Sequence, residues 1–239
     1  MKPLAEFKNV NVQTVFCDID DTITTDGKLT ASAYASLWRL KSANINVVPV
    51  TGRPAGWCEM IARLWPVHGV IGENGGFYFR YRNKNMYRFF VQTEKQRLEN
   101  RERLKVLEGK ILKEVPGSAI ASDQFCRLLD LAIDFCEDVS PLGDAEVERI
   151  VQIFKDAGAN AKVSSIHVNG WFGDFDKLSM VQHYCKAELQ IPWEEAQNTC
   201  VFIGDSPNDE PMFQGFNSSF AVANINKFID SIKYKPTYV

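Results

Sequence analysis

VFCDIDDTITTDGK, residues 15–28, decides how the chain folds. It opens apolar and β-branched, as suits a strand buried on both faces. Three acids, Asp18, Asp20 and Asp21, then crowd into four positions. Like charges repel, and a carboxylate leaving water is costly unless something neutralises it. Asp18 and Asp20 lie two apart, so in extended backbone both point toward one ligand. A hard divalent cation is the obvious neutraliser, and Mg²⁺ prefers carboxylate, carbonyl and phosphate oxygens. The alternative is an acidic turn with Asx-type capping. A calcium loop of the EF-hand kind fails, because Ile23 holds the glycine position and Leu29 the closing glutamate position.

Outward from this stretch, strands and helices alternate. VQTVFCDI (12–19) reads as a buried strand. A helix follows over 30–43, with Thr30 as N-cap and Tyr34, Leu37 and Leu40 on one face. INVVPV (45–50) is a second buried strand ending in TGR, and Pro54 suits the first turn of a helix running to about Leu64. GVIGENGG gives a short strand and tight turn, and FYFRYR and MYRFFV form a hairpin whose Arg80, Arg82 and Arg88 read as a solvated face.

Near Gln92 the texture changes. A long charged helix carries Leu98, Leu104, Leu107 and Ile111 as its stripe, and Pro116-Gly117 closes it. Residues 125–135 alternate as a half-buried strand, with Asp130 and Asp134 on the polar face. A helix spans 144–158, and KVSSIHVNGWF is one more strand. Parallel-type segments then return with a helix from Lys177 behind its cap Asp176, the buried strand TCVFIG (199–204), the loop DSPNDEPMF, SSFAVAN and a helix NKFIDSI. The expected fold is α/β, a doubly wound parallel-sheet (Rossmann-like) core formed by 1–92 and 171–239, with an inserted α+β cap over 93–170. Such sheets bind ligands at the carboxyl ends of their strands, where DIDDT, TGR and GDSPND all fall.

Composition sets the boundaries. The chain has 239 residues, 45% hydrophobic and 24% charged, and a formal net charge of −3, ordinary globular values. No basic stripe invites nucleic acid. No signal-peptide pattern and no run of membrane-spanning length occurs. Six scattered cysteines without a C-x-x-C pair read as reduced, mostly buried thiols, which points to the cytoplasm. Oligomeric state is not legible.

GDSPND supplies a second acid cluster. Asp205 follows its strand directly and has no structural role of its own, whereas Asp209 either caps the next helix or touches a metal. Thr51 can donate a hydroxyl hydrogen bond, and free amides at the start of the helix after TGR suit an anion. Arg53 reads equally as a substrate contact or an exposed arginine. Lys177 opposes the helix dipole, which favours a functional reading over a solvated one. His167, Asn169 and Trp171 are candidate substrate readers in the insert, with simple packing the alternative.

DIDDT, a strand ending in TGR, a lysine and GDSPND, in this order, resemble the four motifs of the haloacid dehalogenase superfamily of phosphohydrolases. The insert and ENGG resemble subfamily IIB, which includes Cof-type and sucrose-phosphate phosphatases. The resemblance implies Asp18 as nucleophile and metal ligand, and Asp20 as general acid/base whose carbonyl also binds Mg²⁺. It implies Asp205 as metal ligand, Asp209 in a supporting position, Thr51 and Lys177 holding the phosphoryl group, and Asn208 orienting Lys177 or that group; Gly52 and Arg53 are further substrate-binding candidates beside Thr51. The function so implied is a Mg²⁺-dependent phosphatase acting through an aspartyl-phosphate on a small phosphorylated metabolite such as a sugar phosphate. A sugar phosphomutase is the alternative. A phospho-accepting signalling module is more remote, since such domains fit roughly half this length.

Overall fold

The computed structural model describes residues 1–8, 11–230 and 232–239. Its central sheet is parallel, built from β1 (Thr14–Cys17), β4 (Asn46–Pro49), β12 (Cys200–Gly204) and β13 (Ser219–Ala221) in the order β13-β12-β1-β4. Between β1 and β4 lie a small hairpin, β2 (Thr24–Thr25) and β3 (Lys28–Leu29), and the helix α1 (Ala31–Ser42), whose N-cap is Thr30 with its hydroxyl accepting from Ala33 N–H. Alternation along β1 serves both faces. Val15 and Cys17 pack with Leu37 of α1, while Phe16 packs with Met180, Val181, Met212 and Phe213 on the other side. Helices on both faces make this the doubly wound α/β layer expected.

The helix α2 (Ala55–Leu64) leads to β5 (Val70–Gly72), joined to the parallel sheet by a Val50–Ile71 bridge. Pro54 is the N-cap of α2, one position outside the first turn. β5 starts an antiparallel meander with β6 (Phe77–Arg82) and β7 (Asn85–Phe90). Asn83 and Lys84 turn that hairpin with φ of 50° and 61°, the left-handed pair of a tight two-residue turn. Arg80 departs from the solvated face expected of it. It donates to His68 Nε2 (2.6 Å) and pairs with Glu188, which also accepts from the Tyr78 hydroxyl. Arg82 and Arg88 remain exposed.

A second layer occupies residues 94–171. An antiparallel sheet, ordered β10-β11-β9-β8, consists of β8 (Ala119–Ile120), β9 (Asp130–Asp134), β10 (Asn160–Val163) and β11 (His167–Trp171). The helices α3 (Glu94–Glu114) and α4 (Asp144–Asp156) pack on it around Leu107, Ile111, Ile133, Ile150 and Phe154. Three expectations change here. Leu98 is exposed, and burial along α3 starts at Leu104. The segment 160–171 is a hairpin of two strands, because Ser164–Ile166 turn the chain. β9 is buried on both faces: Asp134 accepts from the amides of Cys136, Glu137 and Asp138, and Asp130 faces an arginine.

The helix α5 (Lys177–Tyr184) runs into a π-turn at Cys185–Leu189. The helices α6 (Trp193–Thr199) and α7 (Glu210–Gly215) flank β12. In place of the helix expected over 226–232 there is a 3₁₀ turn at Ala223–Lys227, and Ser231 lies outside the described residues.

His68 is expected to make folding stability depend on pH. Because Arg80 donates to Nε2, Nδ1 carries the proton and donates to the Tyr184 hydroxyl at 2.8 Å. Burial and then Arg80 push His68 down to about 4. The unfolded chain therefore takes up a proton below about pH 6.5 that the folded chain refuses until about pH 4. The contribution is complete above pH 6.5 and is lost as pH falls through that window. Urea unfolding at pH 7 and pH 5 should show a larger loss of stability for the wild type than for His68→Gln; equal losses would contradict this role.

Candidate active site

Register brings the polar clusters together. Cys17 pairs with both Ile203 and Pro49, Asp18 N–H donates to Ile203 carbonyl, and Val50 N–H to Cys17 carbonyl. Asp18, Thr51 and Asp205 thus emerge side by side at the carboxyl edge of β1, β4 and β12. Asp18, Asp205 and Asp209 are buried, each with a carboxylate oxygen within 4.8 Å of the others.

Lys177 is the cation among them. Its Nζ lies 2.8 Å from Asp209 Oδ1, 3.1 Å from Asp18 Oδ1 and 3.4 Å from Asn208 Oδ1. Burial alone would lower its pKa, but Asp18 and Asp209 reverse that and raise it, so it stays charged. Local sequence builds this placement: Asp176 caps α5 in a box with Ser179, fixing Lys177 at the first position. The cation does not balance the acids. Burial raises Asp18 well above the carboxylate range, with Asp209, Asp20 and Asp205 adding to the effect against Lys177. Burial and Asp209 likewise push Asp205 up to about 7. A crowded set of hard oxygen donors with excess negative charge fits a divalent cation.

Asp209 has one alternative fewer than the sequence allowed. Its side chain makes no cap bond to α7. Oδ1 accepts from Lys177 and Oδ2 from the Asp205 N–H at 3.1 Å, so it anchors both neighbours. Asp20 lies beside them but is held by the Arg53 Nε (3.1 Å) and Nη2 (2.8 Å) fork. Arg53 stacks over Trp57 and reaches toward Asp123 (3.7 Å) and Glu137 (3.6 Å) of the second layer. Thr51 is fully buried, and its hydroxyl oxygen accepts from Arg53 N–H at 3.0 Å, leaving its own hydrogen free to donate.

The second layer closes over these residues. A cavity of about 30 Å³ is walled below by Asp18, Asp20, Gly52, Asn74, Asp205 and Asn208. Above it are Arg127, Ser164, Ser165, His167 and Asn169, with Lys162 at the rim. Trp171 is not in this wall: its strand continues into the core, where the indole stacks on Phe175 and donates to Phe175 carbonyl at 3.2 Å. The packing alternative therefore holds for Trp171, while His167 and Asn169 face the cavity.

Sequence reasoning missed the residues that tie the two layers. Arg127 is bonded to Asp123 and Asp130 and donates to Gly52 carbonyl at 3.0 Å. Glu73, fully buried, accepts from the Ala55, Leu128, Leu129 and Asp130 amides. Burial and the neighbouring Asp130 push Glu73 up to about 8, against Arg127 and the amide donors. Glu73 and Asn74 stand in ENGG, and Asp130 breaks an apolar strand; those were the available signals.

A family model described as haloacid dehalogenase-like hydrolase matches residues 15–100 and 147–234. A phosphoglycolate phosphatase of Methanobrevibacter smithii is 25% identical over 92% of this chain and 89% of its own length. Among solved structures, a Thermoplasma acidophilum protein superposes with TM-score 0.73 at 17% identity, covering 95% of this chain and 91% of that one. The C-terminal domain of C. albicans trehalose-6-phosphate phosphatase superposes with TM-score 0.67 at 18% identity, covering 86% of this chain and 74% of that one.

Proposed function

The chain belongs to the haloacid dehalogenase-like hydrolases, and on that footing we propose that it is a Mg²⁺-dependent phosphatase of small phosphorylated metabolites, working through an aspartyl-phosphate on Asp18. The observation that carries this reading is Asp18 itself, buried at a strand end between Lys177 and the carboxylates of Asp205 and Asp209. Phosphoglycolate and trehalose 6-phosphate, named for two of the similar proteins, are small phosphate monoesters of the same class.

In the first step the Asp18 carboxylate attacks phosphorus, the bond to the ester oxygen breaks, and the leaving oxygen takes a proton from Asp20. In the second, water attacks the aspartyl-phosphate, Asp20 accepts its proton, and inorganic phosphate departs with Asp18 restored. A divalent ion held by Asp18 and Asp205 would supply positive charge between the anionic nucleophile and the anionic phosphoryl group. Lys177, oriented by Asp209 and Asn208, adds charge for the phosphoryl oxygens, and the Thr51 hydroxyl adds a donor. The Arg53 fork occupies both carboxylate oxygens of Asp20, so to act in the first step Asp20 must exchange Arg53 for the leaving oxygen.

The insert 93–170 serves as a lid in this reading. The cavity has room for little more than water, so the Arg53 and Arg127 ties between layers must loosen for substrate to enter. Six free cysteines support a reducing compartment, the cytoplasm, and among the described residues no helix is long and apolar enough to cross a membrane.

The test is hydrolysis of p-nitrophenyl phosphate with Mg²⁺ and with EDTA. Phosphate release that EDTA abolishes and Mg²⁺ restores is expected; turnover indifferent to EDTA would contradict the metal-dependent reading.

A further inference from the structure

Among the described residues two buried side-chain polar atoms lack a hydrogen-bond partner, Asn74 Nδ2 and His167 Nε2. Both residues line the cavity over Asp18. Asn74 belongs to the core, in the turn after β5, and His167 to the antiparallel layer. We propose that Asn74 and His167 together hold a hydroxyl of the leaving group, one from each layer, so that the site selects small hydroxylated phosphate esters. This rests on the phosphatase reading above.

The backbone at Asn74 is held in a costly conformation. Glu73, Asn74 and Gly75 have φ of 43°, 54° and 102°, and left-handed geometry is unfavourable at the two non-glycine positions. Such strain persists only where its surroundings over-determine it, and it gathers at ligand sites. Here Glu73 N–H donates to Arg53 carbonyl and Asn74 N–H to Thr51 carbonyl, both at 3.1 Å, and four amides fix the Glu73 carboxylate. The turn is thereby locked to TGR. Gly52 leaves room for the amide of Asn74, since a Cβ there would stand 3.3 Å from its nitrogen and oxygen. A half-turn about the Asn74 Cβ–Cγ bond exchanges nitrogen and oxygen, so either can face a ligand.

His167 Nε2 lies 2.8 Å from Glu137 Oε2 without forming a hydrogen bond to it. Burial, helped by Arg127, holds its pKa near 4, so the ring is neutral and offers one donor and one acceptor. A hydroxyl both donates and accepts and so satisfies the pair in either tautomer, whereas a carboxylate would need both to donate and would bring a charge that must be balanced. The buried cations are already engaged, Arg127 by Asp123 and Asp130 and Arg53 by Asp20, and Lys162 stands at the exposed rim. An ester lacking the hydroxyl would leave Asn74 and His167 unpaired again, which is how a polar site rejects an apolar analogue.

The test compares kcat/KM for sn-glycerol 3-phosphate, n-propyl phosphate and 2-phosphoglycolate in the wild type, Asn74→Gly and His167→Phe. Glycine keeps the left-handed turn without the amide, and Asn74→Gly carries the test alone if His167→Phe does not fold. The wild type is expected to favour glycerol 3-phosphate over both other esters at least tenfold. Its preference over n-propyl phosphate is expected to fall at least fivefold in each folded variant. A wild type without that preference, or a folded variant whose ratio stays within fivefold of wild type, overturns the proposal. If neither these esters nor p-nitrophenyl phosphate is turned over by the wild type, the phosphatase reading fails and this inference fails with it.

Discussion

Asp18→Asn is expected to lower phosphate release by at least about 10³-fold, since removing a nucleophile commonly costs more than that, while leaving the protein folded. The amide has nearly the shape of the carboxylate, and its oxygen can still accept from Lys177, now 3.1 Å from Asp18 Oδ1. It cannot form the acyl-phosphate. Stability should move the other way from activity. Asp18 is a buried carboxylate whose charge is opposed by burial and by three neighbouring acids, so without metal the thermal midpoint of Asp18→Asn should equal or exceed that of the wild type. Steady-state turnover and a melting curve in EDTA check both halves. A folded variant retaining a tenth of wild-type turnover would remove Asp18 from the chemistry.

Lys177→Met should damage fold and chemistry together. Lys177 is 4% exposed and is the cation shared by Asp18 and Asp209. Removing one member of a buried ion pair costs about 3–5 kcal/mol, because the remaining charge is left uncompensated. Two carboxylates lose their partner here, so a cost at the upper end is expected, read as a fall in urea midpoint. Adding Asp209→Asn should recover part of that stability, since neighbouring charges are strongly coupled, while turnover stays depressed about 10²–10³-fold for want of a cation at the phosphoryl group. A Lys177→Met protein as stable as the wild type would show that another group balances the acids.

What was legible in the sequence is what short-range pattern controls. A buried strand ending in acids, a strand ending in TGR, a capped helix beginning at Lys177 and a strand ending in Asp205 each announce themselves locally. Parallel pairing then brings them to one edge. The antiparallel layer was legible as a change of texture, but its polar face was misread. Alternation assigns Asp130 and Asp134 to solvent, yet β9 is covered on that side by Arg127, Asn169 and a run of turn amides. Nothing within ten residues of Asp130 reveals that Glu73 reaches across to the 128–130 amides. Trp171 shows the converse, since the alternation that points His167 and Asn169 into the cavity carries its indole onto Phe175 once the strand has passed beyond the cavity.

The proposed chemistry depends most on Asp18 and Asp205 sharing one cation. A crystal grown or soaked with Mn²⁺ and measured for anomalous scattering addresses this directly. One peak bonded to a carboxylate oxygen of Asp18 and one of Asp205, at about 2.0–2.3 Å as hard divalent cations require, is the predicted result. Peaks that touch only one of the two, or no peak at this strand edge with both carboxylates turned apart, would contradict it.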